Sequence, residues 1–352
     1  MVVLAMVCIT RYFSFVKNSS VFTGSINRSI PGIDKTQEHI ENDEAQSYIE
    51  KILSTQLAMS DKLIHEKIEE VEEENLPEQV VEEVIAENQE VNVNTDIPQN
   101  VITQVIEENN IKATYTNDYY GVKIKNSSKY NLTDDIMKPD IELANNKDIL
   151  IFHTHTCESY TPSDGFNYSM TGNYRTTDLN YSVARVGAEL KAFLEKYNFV
   201  VRHDTTYNDY PAYSGSYNRS LKVVENQLSQ QSCDIVIDLH RDAVGSNSNY
   251  APTVKIGDEY AAQLMFVIGT DGGGLTHPNW QKNLKFAVKI QAKANELYPG
   301  LFRPIIVRNS RYNQHTATGA CIIEVGATGN TMEQCVTSMK YLAQIFNEVL
   351  AH

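Results

Sequence analysis

Asp148–Tyr160 reads DILIFHTHTCESY. Its first half is a continuous apolar run, the pattern of a strand buried on both faces. The run ends in two histidines, His153 and His155, with Glu158 just beyond. Two later runs behave alike. DIVIDLH (Asp234–His240) ends on a histidine, and ACIIEVGATGN (Ala320–Asn330) carries Glu324. Three strands that each bring a His or Glu at or near their end predict a metal site along one edge of a sheet. A hydrolase using zinc is the chemistry such a site suits.

Working outward from this stretch, the chain alternates strand and helix. Apolar runs predict strands at Ile149–His153, Phe199–His203, Asp234–Leu239, Ala262–Ile268, Ile305–Val307 and Ala320–Val325. Helical periodicity falls between them, near Asn180–Tyr197, Ser220–Gln230, Trp280–Tyr298 and Thr331–Leu350. The expected fold class is α/β, a mostly parallel sheet flanked by helices. Such sheets bind ligands beyond the carboxyl ends of their strands, where His153, His155 and His240 fall.

Catalytic zinc takes three protein ligands and keeps one position open. His153 and His155 are two apart, so an extended chain would point both to one side. Either can ligate while the other holds its surroundings. His240 comes from a separate strand, and Glu158 is near enough to complete the set. Glu324 sits inside an apolar run, where an unpaired carboxylate is costly to bury. It must face a cavity or meet a cation. Beside zinc it would act as general base and then acid; otherwise it pairs with Arg241 or Arg311. Arg241 could clamp a substrate carboxylate or stabilise an oxyanion, and Asp242 orient a ligand imidazole; both equally suit a fold-stabilising role. His203 is a weaker strand-end candidate. The run GTDGGGLTHP (Gly269–Pro278) lacks the Lys-Ser/Thr of a phosphate loop and reads as a flexible loop lining the substrate groove, with His277 a polar contact.

The five cysteines form no CxxC pair, which argues against a disulfide framework and a thiolate zinc cluster. The net charge of −15 argues against nucleic acid as partner. That charge is localised. Residues 61–112 hold 15 acidic and 3 basic side chains, a net of −12, which leaves −3 for the rest. Residues 17–112 therefore read as an acidic, largely disordered linker, and residues 113–147 as a lead-in strand and helix before the catalytic domain at 148–352. In residues 1–16 the uninterrupted apolar run is about ten residues, too short to span a bilayer alone. It reads as a trimmed signal anchor or a membrane-surface segment.

ILIFHTHTCESY, DIVIDLHRDA, FVIGTDGGGLTHPNWQKNL and RYNQHTATGACIIEVGATGNTMEQ, in this order, resemble the signature blocks of the stage II sporulation protein P family. The likeness runs from about Tyr119 to the C-terminus. It implies an extracytoplasmic, membrane-anchored peptidoglycan hydrolase acting in septal thinning and forespore engulfment. It also implies kinship with the zinc N-acetylmuramoyl-L-alanine amidases, with endopeptidase cleavage of cross-links also ascribed. Implied partners are peptidoglycan, a lytic transglycosylase and a membrane scaffold protein. The wider amidase pattern of His, Glu and His ligands plus a catalytic Glu places His240 as the second histidine and Glu324 as the catalytic residue. The first histidine is His153 or His155. The amidase Glu ligand has no counterpart in TTDLN, where Asp178 stands instead, which leaves Glu158 or Asp178 as the third ligand. Two rival readings are a cysteine hydrolase built on Cys157 and an inactive or partner-dependent wall-binding scaffold.

Overall fold

The computed structural model describes residues 101–169, 174–244 and 249–350. The apolar N-terminal segment and most of the acidic linker lie outside the described residues. Near-continuous Val, Ile and Leu runs give the strands of one eight-stranded sheet. In chain order these are β2 (Asn117–Tyr119), β3 (Val122–Asn126), β4 (Asp148–Phe152), β5 (Val200–His203), β6 (Ile235–Asp242), β9 (Leu264–Ile268), β10 (Ile305–Val307) and β11 (Gly319–Ala327). Their spatial order is β2-β3-β10-β9-β11-β6-β4-β5. All pairings are parallel except β2 with β3 and β9 with β11. The expected α/β class with a mostly parallel sheet is what the chain forms. Tyr120 and Gly121 turn the β2–β3 hairpin with positive φ at both, the geometry such tight turns require.

The acidic stretch 61–112 is not linker to its end. Thr103–Ile106 forms β1, which pairs antiparallel with β7 (Thr253–Ile256), itself paired with β8 (Glu259–Ala262). This second sheet escaped the sequence reading, whose strand at Ala262–Ile268 matches β9 and takes in only the last residue of β8.

Helices cover the two faces of the large sheet unequally. α2 (Val183–Lys196), α4 (Trp280–Leu297) and α5 (Met332–Leu350) bury one face, in a core that includes Leu190, Phe286, Phe346, Ile149, Ile237 and Ile323. A short α1 (Asp134–Met137) packs beside α4. On the other face, among the described residues, only α3 (Ser216–Gln230) packs, with Val224 and Leu228 against Leu150, Phe152, Val236 and Ala320. Beyond α3 the apolar row of Met265, Val267 and Ile322 carries no described helix. That part of the sheet is the floor of a cleft.

Candidate metal centre

Strand parity decides which side chains reach the cleft. On β6 the even residues Val236, Asp238 and His240 share the α3 face, while Ile237, Leu239 and Arg241 turn to the three-helix face. On β11, Glu324 lies in register beside His240. His155, Glu158, His240 and Glu324 all line one cleft of about 740 Å³, with Asp242, Arg303, Tyr217 and Tyr312.

The turn after β4 is fixed from several sides. Thr154 donates to Asp238 through its amide (2.8 Å) and its hydroxyl (2.6 Å). The Thr156 hydroxyl donates to the Thr206 carbonyl at 2.6 Å, and the Cys157 amide to Asp209 at 3.1 Å. This turn swings His155 back over the cleft. Its ring stacks on Tyr213 at 4.5 Å and meets His240 edge-on at 5.2 Å between ring centres. Its Nε2 is 3.1 Å from the Tyr213 hydroxyl, and its buried Nδ1 has no hydrogen bond.

Glu158 and His240 form an ion pair. Glu158 Oε2 accepts from the Arg241 amide at 3.0 Å and lies 3.4 Å from His240 Nδ1. Burial pushes this carboxyl up, but the hydrogen bond from His240 and the charges of Arg241, His240 and His155 outweigh it and hold its pKa at about 2. His240 Nε2 stands 2.8 Å from Asp238 Oδ1, as an ion pair without aligned hydrogen-bond geometry. Burial opposes the charge of His240, yet Asp238 and Glu158 raise its pKa well above the ordinary value. Opposite them, Glu324 Oε2 is buried with no partner. Burial and the charge of Asp242 raise this carboxyl to about 8, against the opposing pull of His240 and Arg303.

His153 does not join this group, and Arg241 lines the cleft without turning its guanidinium into it. The expectation that His153 and His155 point to one side fails because β4 ends at Phe152, so the two-residue period of a strand no longer applies. His153 keeps the parity of Ile149 and Ile151 and enters the three-helix side. There its Nδ1 donates to the Leu239 carbonyl at 2.8 Å. A carbonyl only accepts, so the proton is on Nδ1, and Nε2 must accept from His203 Nε2, also at 2.8 Å. Burial lowers His153 to about 4, which keeps the pair neutral. Arg241 is turned the same way. Its guanidinium donates to Thr328 Oγ1 at 2.8 Å and to the Tyr174 carbonyl, and does not clamp an incoming group. Asp178 is exposed and caps a short helical turn through the Asn180 amide.

Other expectations also shift. Asp242 holds Arg303 at 2.7 Å and orients no imidazole. Asp238 takes that place, and the sequence reading passed over it although an Asp inside IVIDLH carries the same signal as Glu324. Tyr213 was missed as well, because nothing in the Tyr-rich loop singles it out. The glycine run does not line the cleft; Gly269 and Gly273 bond Gln314 and Asn309 instead, and His277 is buried away from it. Cys157 is buried, and burial and Asp209 push its thiol up, the reverse of what a nucleophile needs.

Two imidazoles and a carboxylate at the mouth of a cleft are a donor set suited to zinc. The His155 Nδ1, which makes no hydrogen bond and lies 3.9 Å from Asp209, and the negative surroundings of His240 favour a bound cation. Among the described residues, no three His, Cys, Asp or Glu side chains are drawn together closely enough to grip a metal as they stand.

A profile of the stage II sporulation protein P family matches residues 25–347. The stage II sporulation protein P of Bacillus subtilis (strain 168) is 26% identical over 224 residues, 60% of this chain and 53% of that protein. The chain thus spans about half the length of this curated relative. Among solved structures, the CwlD amidase from Clostridioides difficile in complex with the GerS lipoprotein aligns over 57% of this chain and 96% of its own, at 15% identity and a TM-score of 0.38. The catalytic domain of CwlV, an N-acetylmuramoyl-L-alanine amidase from Bacillus (Paenibacillus) polymyxa var. colistinus, aligns over 58% and 96%, at 16% identity and 0.34. Scores below 0.5 add nothing to the assignment, which rests on the family match across most of the sequence. The chain belongs to the stage II sporulation protein P family.

Proposed function

We propose that the chain is a metal-dependent peptidoglycan hydrolase that cleaves the amide between N-acetylmuramic acid and L-alanine. The observation that carries this is the convergence of His155, Glu158, His240 and Glu324 on one cleft. His155, Glu158 and His240 would hold the zinc, with Asp238 orienting His240 from behind. The ion would polarise the scissile carbonyl and acidify the attacking water.

The other steps fall to the chain itself. Glu324, unpaired at Oε2 and facing the same cleft, takes a proton from water in its ionised form and returns it to the leaving amine. The apolar floor of Met265, Val267 and Ile322 carries the substrate and excludes water beside the reacting amide. Cleavage of peptide cross-links, action in engulfment beside a lytic transglycosylase and a membrane scaffold, and an extracytoplasmic, membrane-anchored location complete this reading.

Replacing Glu324 and His240 separately tests it. Glu324→Gln should keep zinc and lower amide hydrolysis by about 10²–10⁴-fold. His240→Ala should lose both zinc and activity. A Glu324→Gln chain as active as the parent would exclude the mechanism.

A further inference from the structure

The cleft is electrostatically lopsided. At one end stand Glu158 and Glu324. Its other end is lined by Lys125 on β3, Arg308 just past β10 and Lys112 in the segment between β1 and β2, all exposed. Among the described residues, none of these three cations has an ion pair. Arg303, nearer Glu324, is by contrast neutralised by Asp242 at 2.7 Å.

Strand register sets the distance between the ends. Lys125, Ile306, Val267 and Ile322 lie abreast on β3, β10, β9 and β11. Glu324 is two residues further along β11. Three strand steps of about 4.8 Å and two residues of rise give a span of roughly 15 Å. An extended peptide covers that with about four residues. Between the ends runs the uncovered apolar floor, broad enough for an extended chain.

We propose that Lys125 and Arg308, with Lys112 beside them, form a subsite for a carboxylate carried on a peptide, two to four residues from the bond that is cut. The proposal rests on the amidase reading for which end of the substrate is the peptide: the stem lies along the sheet floor towards the cations, with its glycan directed away from them. The cation rim gives the substrate one orientation, because a reversed stem would leave its carboxylates away from Lys125 and Arg308.

The test uses the full chain carrying Glu324→Gln, so that bound peptide is not turned over. The probes are an N-acetylated tetrapeptide of L-alanine, γ-linked D-glutamate, L-lysine and D-alanine with free carboxylates, and the same peptide with both carboxylates amidated. Titration calorimetry should show the acid form binding at least tenfold tighter. Adding Lys125→Ala and Arg308→Ala should abolish that preference, whereas Lys222→Ala on the exposed side of α3 should keep it. Equal binding of the two peptides, or a preference that survives the double substitution, overturns the subsite. Stem release from glycan by the parent chain is scored separately. Release without discrimination removes the subsite and leaves the amidase reading standing. Discrimination without release keeps the subsite and removes the amidase reading.

Discussion

Asp238, Glu324 and His240 show how little of a residue's role follows from its type. Each is a polar group in an apolar strand, where it needs a partner or a purpose. Asp238 has one: it takes two hydrogen bonds from Thr154 and faces His240 at 2.8 Å. Asp238→Asn should weaken zinc binding by about 10–100-fold, read by competition with a chelator. Glu324 lacks such a partner, and its carboxyl is raised from an ordinary 4.5 to about 8. The folded chain therefore holds a proton there that the unfolded chain releases. Its contribution to stability is fully present below pH 4.5 and is lost as pH rises through 8. In the metal-free chain, Glu324→Gln should gain stability over the parent progressively between pH 4.5 and 8, by urea unfolding. A gain independent of pH would show that Glu324 ionises normally. The sequence made Glu324 and His240 legible because both interrupt apolar runs. His153 interrupts one too, yet it serves the fold. Strands apolar on both faces hide which parity meets the cleft.

Among the elements, the turn after β4 and helix α2 act together. The His153–His203 pair ties that turn to β5 and, through the Leu239 carbonyl, to β6. α2 approaches closely enough to require Gly187. A Cβ there would lie 2.6 Å from His203 Nε2 and 2.8 Å from His153 Nε2. Gly187→Ala should destabilise the fold by about 1–3 kcal/mol, the usual cost of overpacking, in denaturant unfolding. A neutral or stabilising result would mean that the pair yields easily and does not fix the turn. Gly326 matters for another reason. It takes positive φ just past Glu324, where the β11–β6 register shifts, and lets the strand bend at the cleft mouth. Helix and strand positions were readable because periodicity and apolar runs are local. The β1-β7-β8 sheet was not. β1 looked like the end of an acidic linker, and its pairing with β7 spans some 150 residues, beyond what a local pattern carries.

At the level of the whole molecule, among the described residues, three helices cover one face of the sheet, and α3 covers the other over β4, β6 and the start of β11. The cleft is what that asymmetry leaves, and its reacting end lies beside the strand ends of β6 and β11. The sequence reading placed the candidate residues at such ends but could not foresee the open floor, which depends on where α3 stops. The central claim is that this cleft binds zinc and hydrolyses the glycan–stem amide. The most direct test is metal content and muropeptide release by the purified full chain, before and after chelation. The account predicts about one zinc per chain, with release of stems from glycan that chelation abolishes and added zinc restores. A folded chain that holds no metal, or that releases stems equally well in chelator, would contradict it.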